Sequence, residues 1–210
     1  MKKKIAILGS TGSIGKSTLD IIRKDKKNFE IVFLSAKNNY KKLIQQAKEF
    51  NAKNVLIKNK NFFKKTKSSL KNGKTKVYSG DISIANIISG KLDYTMSSIV
   101  GIAGLQPTVD AIKISKTVAI ANKETIICGW EILSKHLKKY KTKVLPVDSE
   151  HFSIMELTKD VSDDEIEEII ITASGGPFLN MSKSEMNKVK PKQAINHPNW
   201  KMGKKISVDS

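Results

Sequence analysis

The sequence predicts an α/β fold: a doubly wound parallel sheet, followed by the start of a smaller α+β domain. Three observations carry that expectation. Short β-branched runs alternate with helix-period stretches as far as residue 147. A glycine-rich loop, Gly9–Gly15, lies between the first strand and the first helix. After Asp148 the alternation gives way to an acidic patch, an apolar run and a lysine-rich polar stretch.

Lys4–Leu8 reads as a buried strand, Lys16–Lys24 as a helix and Ile31–Ser35 as a second strand. Leu43, Ile44, Ala47 and Phe50 form a helical stripe over Tyr40–Phe50, before strand Asn54–Ile57. Residues 58–76 are lysine-rich and weakly patterned, and are expected as a short helix and surface loop. Helices Ile82–Ile88, Val109–Ser115 and Glu124–Lys139 then alternate with strands Tyr94–Val100, Thr117–Ala121 and Lys143–Val147. A domain boundary is expected there, giving domains 1–147 and 148–210. In the second, His151–Lys159 reads as helix, Glu168–Ala173 as an apolar strand and Lys205–Ser210 as a closing strand. The acidic cluster from Asp160 to Glu168 lacks the glycine and spacing of a calcium loop and reads as a solvated helix start.

The 210 residues carry 38 Lys and Arg against 20 Asp and Glu, a net charge of +18. Arg23 is the one arginine, whereas readers of bases and phosphates favour the planar Arg fork. The charge therefore reads as compositional bias, with no nucleic-acid partner expected. No apolar run approaches the roughly 18 residues of a membrane span, and no membrane partner is expected. A single cysteine, Cys128, excludes a disulfide framework, and a reducing, cytoplasmic setting is expected. Cys128 and Trp130 read as core residues of a helix; His136 and His151 read as ordinary helix or surface residues.

In Gly9-Ser10-Thr11-Gly12-Ser13-Ile14-Gly15 the glycines recur every third residue, a relative of the dinucleotide fingerprint. Small residues let the backbone approach a pyrophosphate and aim the next helix's free N–H groups at it. A plain turn needs one glycine, not three, so the first domain is expected to be a Rossmann-like NADP-binding domain. NAD sites usually place a carboxylate about 20 residues past the glycines. Here that point offers Lys37, Asn38 and Asn39, which favours NADPH over NADH. Farther on, Asp148 and Glu150 would share a face if the strand before them persists, and would make a hard oxygen site for Mn2+ or Mg2+, with Co2+ also suited.

Gly9–Gly15, Ala121–Glu124, Val147–His151, Ala173–Phe178 and His197–Gly203 occur in that order. With the closing Lys205–Ser210, they resemble the 1-deoxy-D-xylulose 5-phosphate reductoisomerase family of the non-mevalonate isoprenoid pathway. The resemblance implies isomerisation and reduction of that keto-sugar phosphate to 2-C-methyl-D-erythritol 4-phosphate, dependent on NADPH and a divalent metal. It implies cofactor contacts from Thr11, Gly12, Ser13, Ile14, Lys37, Asn38, Asn39, Asn122, Glu124 and Gly203. Substrate contacts fall to Lys123, Ser149, Glu150, Ser174, His197 and Ser210, and Asp148 and Glu150 become metal ligands. Lys123, Asp148, Glu150 and His197 are the expected catalytic set. His197–Gly203 would be a lid, with Trp200 over the substrate. The family places its basic cofactor residue where this chain has Asn38. Members are about twice as long and homodimeric, with an Asn, a Lys and a third Glu ligand expected beyond Ser210. The chain is thus expected to be C-terminally incomplete. A catalytically incomplete NADP-binding fragment and another NADP-linked dehydrogenase are the alternatives.

Overall fold

The computed structural model describes residues 1–199 and 204–209, which divide into two compact units, Met1–Glu156 and Leu157–Ser210. The first is built on a parallel sheet of seven strands. They are β1 (Lys3–Leu8), β2 (Phe29–Ala36), β3 (Asn54–Ile57), β4 (Lys76–Ser79), β5 (Leu92–Ser97), β6 (Ser115–Ile120) and β7 (Lys143–Pro146). Their spatial order is β4-β3-β2-β1-β5-β6-β7, and every pairing is parallel. The Rossmann-like architecture expected from the alternation is therefore present.

Such a sheet must be covered on both faces, because its strands are apolar on both. Ile5 and Ile7 pack with Leu19, Ile22, Leu43, Ala47 and Leu70 from helices α1 (Ser13–Lys24), α2 (Tyr40–Glu49) and α3 (Phe63–Leu70). Ala6 and Leu8 face the other way. They join Ile84, Val109, Ile112 and Leu133 from α4 (Ile84–Ile87), α5 (Leu105–Ile114) and α6 (Lys123–Tyr140). The register between β1 and β2 slips at Ile5/Ala6, where Ile5 pairs with Ile31 and Ala6 with Phe33. The extra residue, Val32, lets two consecutive side chains, Val32 and Phe33, serve one core cluster.

The chain winds outward from β1 through β2, β3 and β4, then returns to place β5 on the other side of β1. The carboxyl ends of β1 and β5 thus border the crevice where doubly wound sheets bind their ligands. The first unit ends in α7 (Ser149–Leu157). The second carries short helices α8 (Lys183–Met186), α9 (Pro191–Ala194) and α10 (Lys204–Asp209).

Several expectations are corrected. Glu168–Ala173 forms no strand, and Ile169, Ile170 and Ile171 are exposed. A strand needs a neighbour for its backbone groups, and no described segment pairs with this one. Residues 204–209 are helical rather than extended, which satisfies their hydrogen bonds within the segment. Within residues 58–76 and just beyond lies the unanticipated edge strand β4. Cys128 and Trp130 are exposed on α6, whose buried stripe is Thr125, Gly129 and Leu133. The acidic patch does begin a turn, Asp163–Glu165, with Ser162 and Glu165 forming a capping box. Among the described residues no helix is long and apolar enough to cross a membrane.

Candidate functional site

The glycine loop leaves β1 at the crevice. Gly9 has φ +79°, and a Cβ there would stand 2.9 Å from the Ser98 carbonyl oxygen. A Cβ on Gly15 would stand 2.5 Å from the Gly9 carbonyl oxygen and 2.6 Å from Ser10 Cα. These two glycines are demanded by the fold itself: one by its backbone conformation, the other by the close approach of α1. Gly12 is different, since its Cβ would meet only the Gly9 oxygen, at 3.4 Å. Nothing inside the protein requires a glycine there.

Gly12 caps α1 without a side-chain hydrogen bond. The N–H groups of the first turn are therefore free to face an anion, and Gly12, Ser13 and Ile14 are exposed. The loop behind them is rigidly held. Ser10 N–H donates to the Ser35 carbonyl at 2.9 Å, and Gly9 N–H to Ser35 Oγ at 3.1 Å. Buried Gln46 of α2 accepts from Ser10 Oγ at 2.8 Å and donates to the Ser10 carbonyl at 2.9 Å. From the other side Ser98 Oγ donates to the Leu8 carbonyl at 2.7 Å. Sequence reasoning did not single out Ser35, Gln46 or Ser98, because partners 25 to 90 residues apart leave no local pattern.

Lys37, Asn38 and Asn39 follow β2, all exposed. Asn39 Oδ1 accepts from Lys42 N–H at 3.1 Å and caps α2. Asn38 Oδ1 accepts from Asn59 Nδ2 at 3.0 Å. Asn122 is buried and its amide is committed inside the protein. Its Nδ2 donates to the carbonyls of Ile99 and of Gly101, the latter at 2.7 Å, and its Oδ1 accepts from Thr125 N–H at 3.1 Å. It ties the segment after β5 to the start of α6. Glu124 lies in the first turn of α6, where a carboxylate suits the helix dipole.

The expected convergence of Asp148 and Glu150 on one strand face is corrected. β7 ends at Pro146, opposite the last residue of β6; Val147 N–H still donates to the Ile120 carbonyl at 3.0 Å, and past it the chain turns into α7. Asp148 sits at the helix start, where its Oδ1 accepts from His151 N–H at 3.0 Å and meets His151 Nδ1 at 2.6 Å. Its other oxygen, Oδ2, is buried without a hydrogen-bond partner. An orphaned carboxylate oxygen is costly unless a donor or cation faces it, and it suits a hard divalent ion. Glu150 Oε1 lies 3.4 Å from Lys123 Nζ, and its Oε2 accepts from Ser149 Oγ at 2.9 Å. Its carboxyl is held below the usual carboxylate range by its own backbone N–H and the Ser149 hydroxyl. The Lys123 charge adds to this, and burial opposes it. Lys123, Asp148, Ser149 and Glu150 thus belong to one compact unit. Among the described residues no group of three or more His, Cys, Asp or Glu is placed to hold a metal, so the carboxylates are at most a pair.

In the second unit Ser174 and His197 come together across 23 residues, Oγ to Nε2 at 3.1 Å. Asn199 N–H can only donate, and it donates to His197 Nδ1 at 3.1 Å. That assigns the ring proton to Nε2, which donates to Ser174 Oγ. Gly176 N–H also donates to that oxygen, at 3.3 Å. With its acceptor sites filled, the Ser174 hydroxyl is left to donate its own proton, the polarity an anionic ligand requires. Gly203 and Ser210, and Trp200 of the expected lid, lie outside the described residues.

The model of the family described as 1-deoxy-D-xylulose 5-phosphate reductoisomerase matches residues 5–129, and that of the C-terminal domain of the same enzyme matches residues 144–210. A curated relative of that name from Pelagibacter ubique is 54% identical over 99% of this chain and 54% of its own length. One from Wolbachia pipientis subsp. Culex pipiens is 45% identical over 99% and 53%. The solved reductoisomerase from Zymomonas mobilis in complex with NADPH superposes with a TM-score of 0.90 at 37% identity, covering 100% of this chain and 54% of that one. A DOX-P reductoisomerase in complex with NADPH, fosmidomycin and magnesium gives 0.84 at 34% identity, covering 99% and 54%. The chain spans about half the length of the curated relatives it matches.

Proposed function

Because the chain belongs to the 1-deoxy-D-xylulose 5-phosphate reductoisomerase family, we propose that it forms the cofactor half and the first part of the catalytic half of such an enzyme. The reaction is the isomerisation and reduction of 1-deoxy-D-xylulose 5-phosphate to 2-C-methyl-D-erythritol 4-phosphate, a step towards isoprenoid precursors. Residues 1–147 are the NADP-binding domain and 148–210 belong to the substrate domain. The complete protein is a cytoplasmic homodimer using Mg2+ or Mn2+, without nucleic-acid or membrane partners.

The reading is carried by the uncapped start of α1 at the crevice, beside a glycine that internal packing does not demand. Thr11, Gly12, Ser13 and Ile14 hold the cofactor's pyrophosphate there. Lys37, Asn38 and Asn39 meet the adenosine ribose and its 2′-phosphate. Asn122 fixes the segment after β5 that lies against the cofactor, and Glu124 and Gly203 add further cofactor contacts. When bound, NADPH supplies a hydride and the divalent ion supplies Lewis-acid polarisation of the substrate's oxygens. Asp148 offers that ion its orphaned Oδ2, and Glu150 stays ionised at neutral pH to be the second ligand. Lys123 and Ser149, both in contact with Glu150, turn towards substrate oxygens. His197 orients Ser174 so that its hydroxyl donates to the substrate, with Ser210 completing that contact set. The His197–Gly203 lid excludes water from the reacting centre.

Titration of the 210-residue chain with NADPH and NADH tests this reading. NADPH should bind the more tightly, and Lys37→Asp should remove about 1–3 kcal/mol of that preference through loss of a charge-assisted contact. Equal dissociation constants in the unaltered chain would refute the reading of the site.

A further inference from the structure

We infer that Asn59, just past the carboxyl end of β3, sets the preference for NADPH over NADH by fixing the orientation of Asn38. The inference rests on the dinucleotide reading above and deepens it. Backbone N–H groups, which can only donate, decide the polarity of the whole cluster. Asn61 N–H donates to Asn59 Oδ1 at 3.1 Å, so the oxygen of Asn59 is committed to the turn Lys60–Phe62. Its amino group therefore lies on the other side, and donates to Asn38 Oδ1 at 3.0 Å. That commits the oxygen of Asn38 in turn, leaving its own amino group to donate elsewhere. Asn39 is polarised in the same sense, because Lys42 N–H occupies its Oδ1.

The two strand ends are also joined through the backbone. Lys58 N–H donates to the Ala36 carbonyl at 2.9 Å and Asn59 N–H to the Lys37 carbonyl at 3.0 Å. Asn59 is thus held against the end of β2, where its amide acts on Asn38. Asp81, the acid that follows β4, is engaged by Lys58 Nζ at 2.9 Å. The end of β2 consequently presents donors: the amino groups of Asn38 and Asn39 and the ammonium of Lys37. A phosphomonoester offers acceptor oxygens and matches this set. The free 2′-hydroxyl of NADH does not, since such sites usually hold it through a carboxylate acceptor. Asn59 is a positioning residue, and its effect should fall on cofactor choice rather than on binding in general.

The test is fluorescence titration of the 210-residue chain with NADPH and with NADH, using the parent, Asn59→Leu, Asn59→Asp, Asn38→Leu and the Asn38/Asn59 double variants. Asn59→Leu should weaken NADPH binding about 5- to 20-fold, less than outright loss of a charge-assisted contact because Asn38 itself remains, and change NADH binding less than about twofold. Asn59→Asp keeps the acceptor for Asn61 N–H, and so the turn, but draws the Asn38 amino group to itself. It should bring the two affinities together even if the leucine variant folds poorly. In the Asn38→Leu background both changes at 59 should lose most of their effect on the ratio. An unchanged NADPH to NADH ratio in the Asn59 variants, or equal effects with and without Asn38, would overturn the inference and leave the dinucleotide site standing. Failure of the parent to bind NADPH would instead remove the reading beneath it.

Discussion

Gly12 and Gly15 stand three residues apart in one loop, and substituting them should have opposite consequences. In Gly15→Ala the new methyl group would lie 2.5 Å from the Gly9 carbonyl oxygen and 2.6 Å from Ser10 Cα. Both neighbours are backbone and cannot rotate away. They are also pinned, Gly9 by Ser35 Oγ and Ser10 by Gln46. Overpacking of this kind costs about 1–3 kcal/mol, and the better helix propensity of alanine returns about 0.5–1. The variant should therefore lose about 1 kcal/mol of stability, along with much of its NADPH affinity as the loop shifts. In Gly12→Ser the added Cβ meets only the Gly9 oxygen at 3.4 Å, and the backbone, at φ −74° and ψ 177°, is open to serine. Serine at a helix cap changes stability by only a few tenths of a kcal/mol, yet its hydroxyl takes an N–H group that would face the pyrophosphate. Urea denaturation and NADPH titration on both variants separate the two effects. A Gly15→Ala protein as stable as the parent would refute the packing argument. A Gly12→Ser protein that binds NADPH like the parent would refute the phosphate-loop assignment.

Two further outcomes are expected. Asp148→Asn should weaken Mn2+ binding, followed by electron paramagnetic resonance, at least about tenfold while leaving NADPH affinity unchanged, because it removes the charge of a carboxylate proposed as a metal ligand and lies outside the glycine loop; unchanged Mn2+ affinity would exclude Asp148 as a ligand. Glu49 accepts from Arg23, which holds its carboxyl below the ordinary value of 4.5. The stability it adds is thus present above that value and fades as pH falls through its lowered pKa. Glu49→Gln should be less stable than the parent at pH 7, and the gap should narrow as the pH is lowered below 4.5; a gap in urea midpoint that stays constant with pH would contradict this.

The alternation of strands and helices was legible because each buried strand of the sheet is a short apolar run and each covering helix carries a stripe. β4 escaped notice because it has four residues, lies at the sheet edge and buries none of them fully. Hydrophobicity also misled where spacing should have ruled. Cys128 and Trp130 lie off the stripe of Thr125, Gly129 and Leu133, whose first two members are polar or small. Glu168–Ala173 has the composition of a strand, but composition does not supply a partner. At the candidate site the glycine loop and Asp148-Ser149-Glu150 were visible as local patterns. Helix capping then overrode the strand geometry expected for the carboxylates. The clamp of Ser10, Ser35 and Gln46 and the relay from Asn61 to Asn38 are built from distant, ordinary residues and exist only once the sheet has formed.

The central position of β1 also governs timing. Its second neighbour, β5, spans Leu92–Ser97, so β1 must wait until that strand has been made before both its edges are occupied. Until then the glycine loop is bracketed only from the β2 side. Ser98, which fastens the other side, and Asn122, which fastens the segment beyond it, come later still. Pairing over such separations is slow, because a long loop must close before any contact rewards it. On the reading proposed above, a dinucleotide would meet its complete site only once the first, second and fifth strands are side by side.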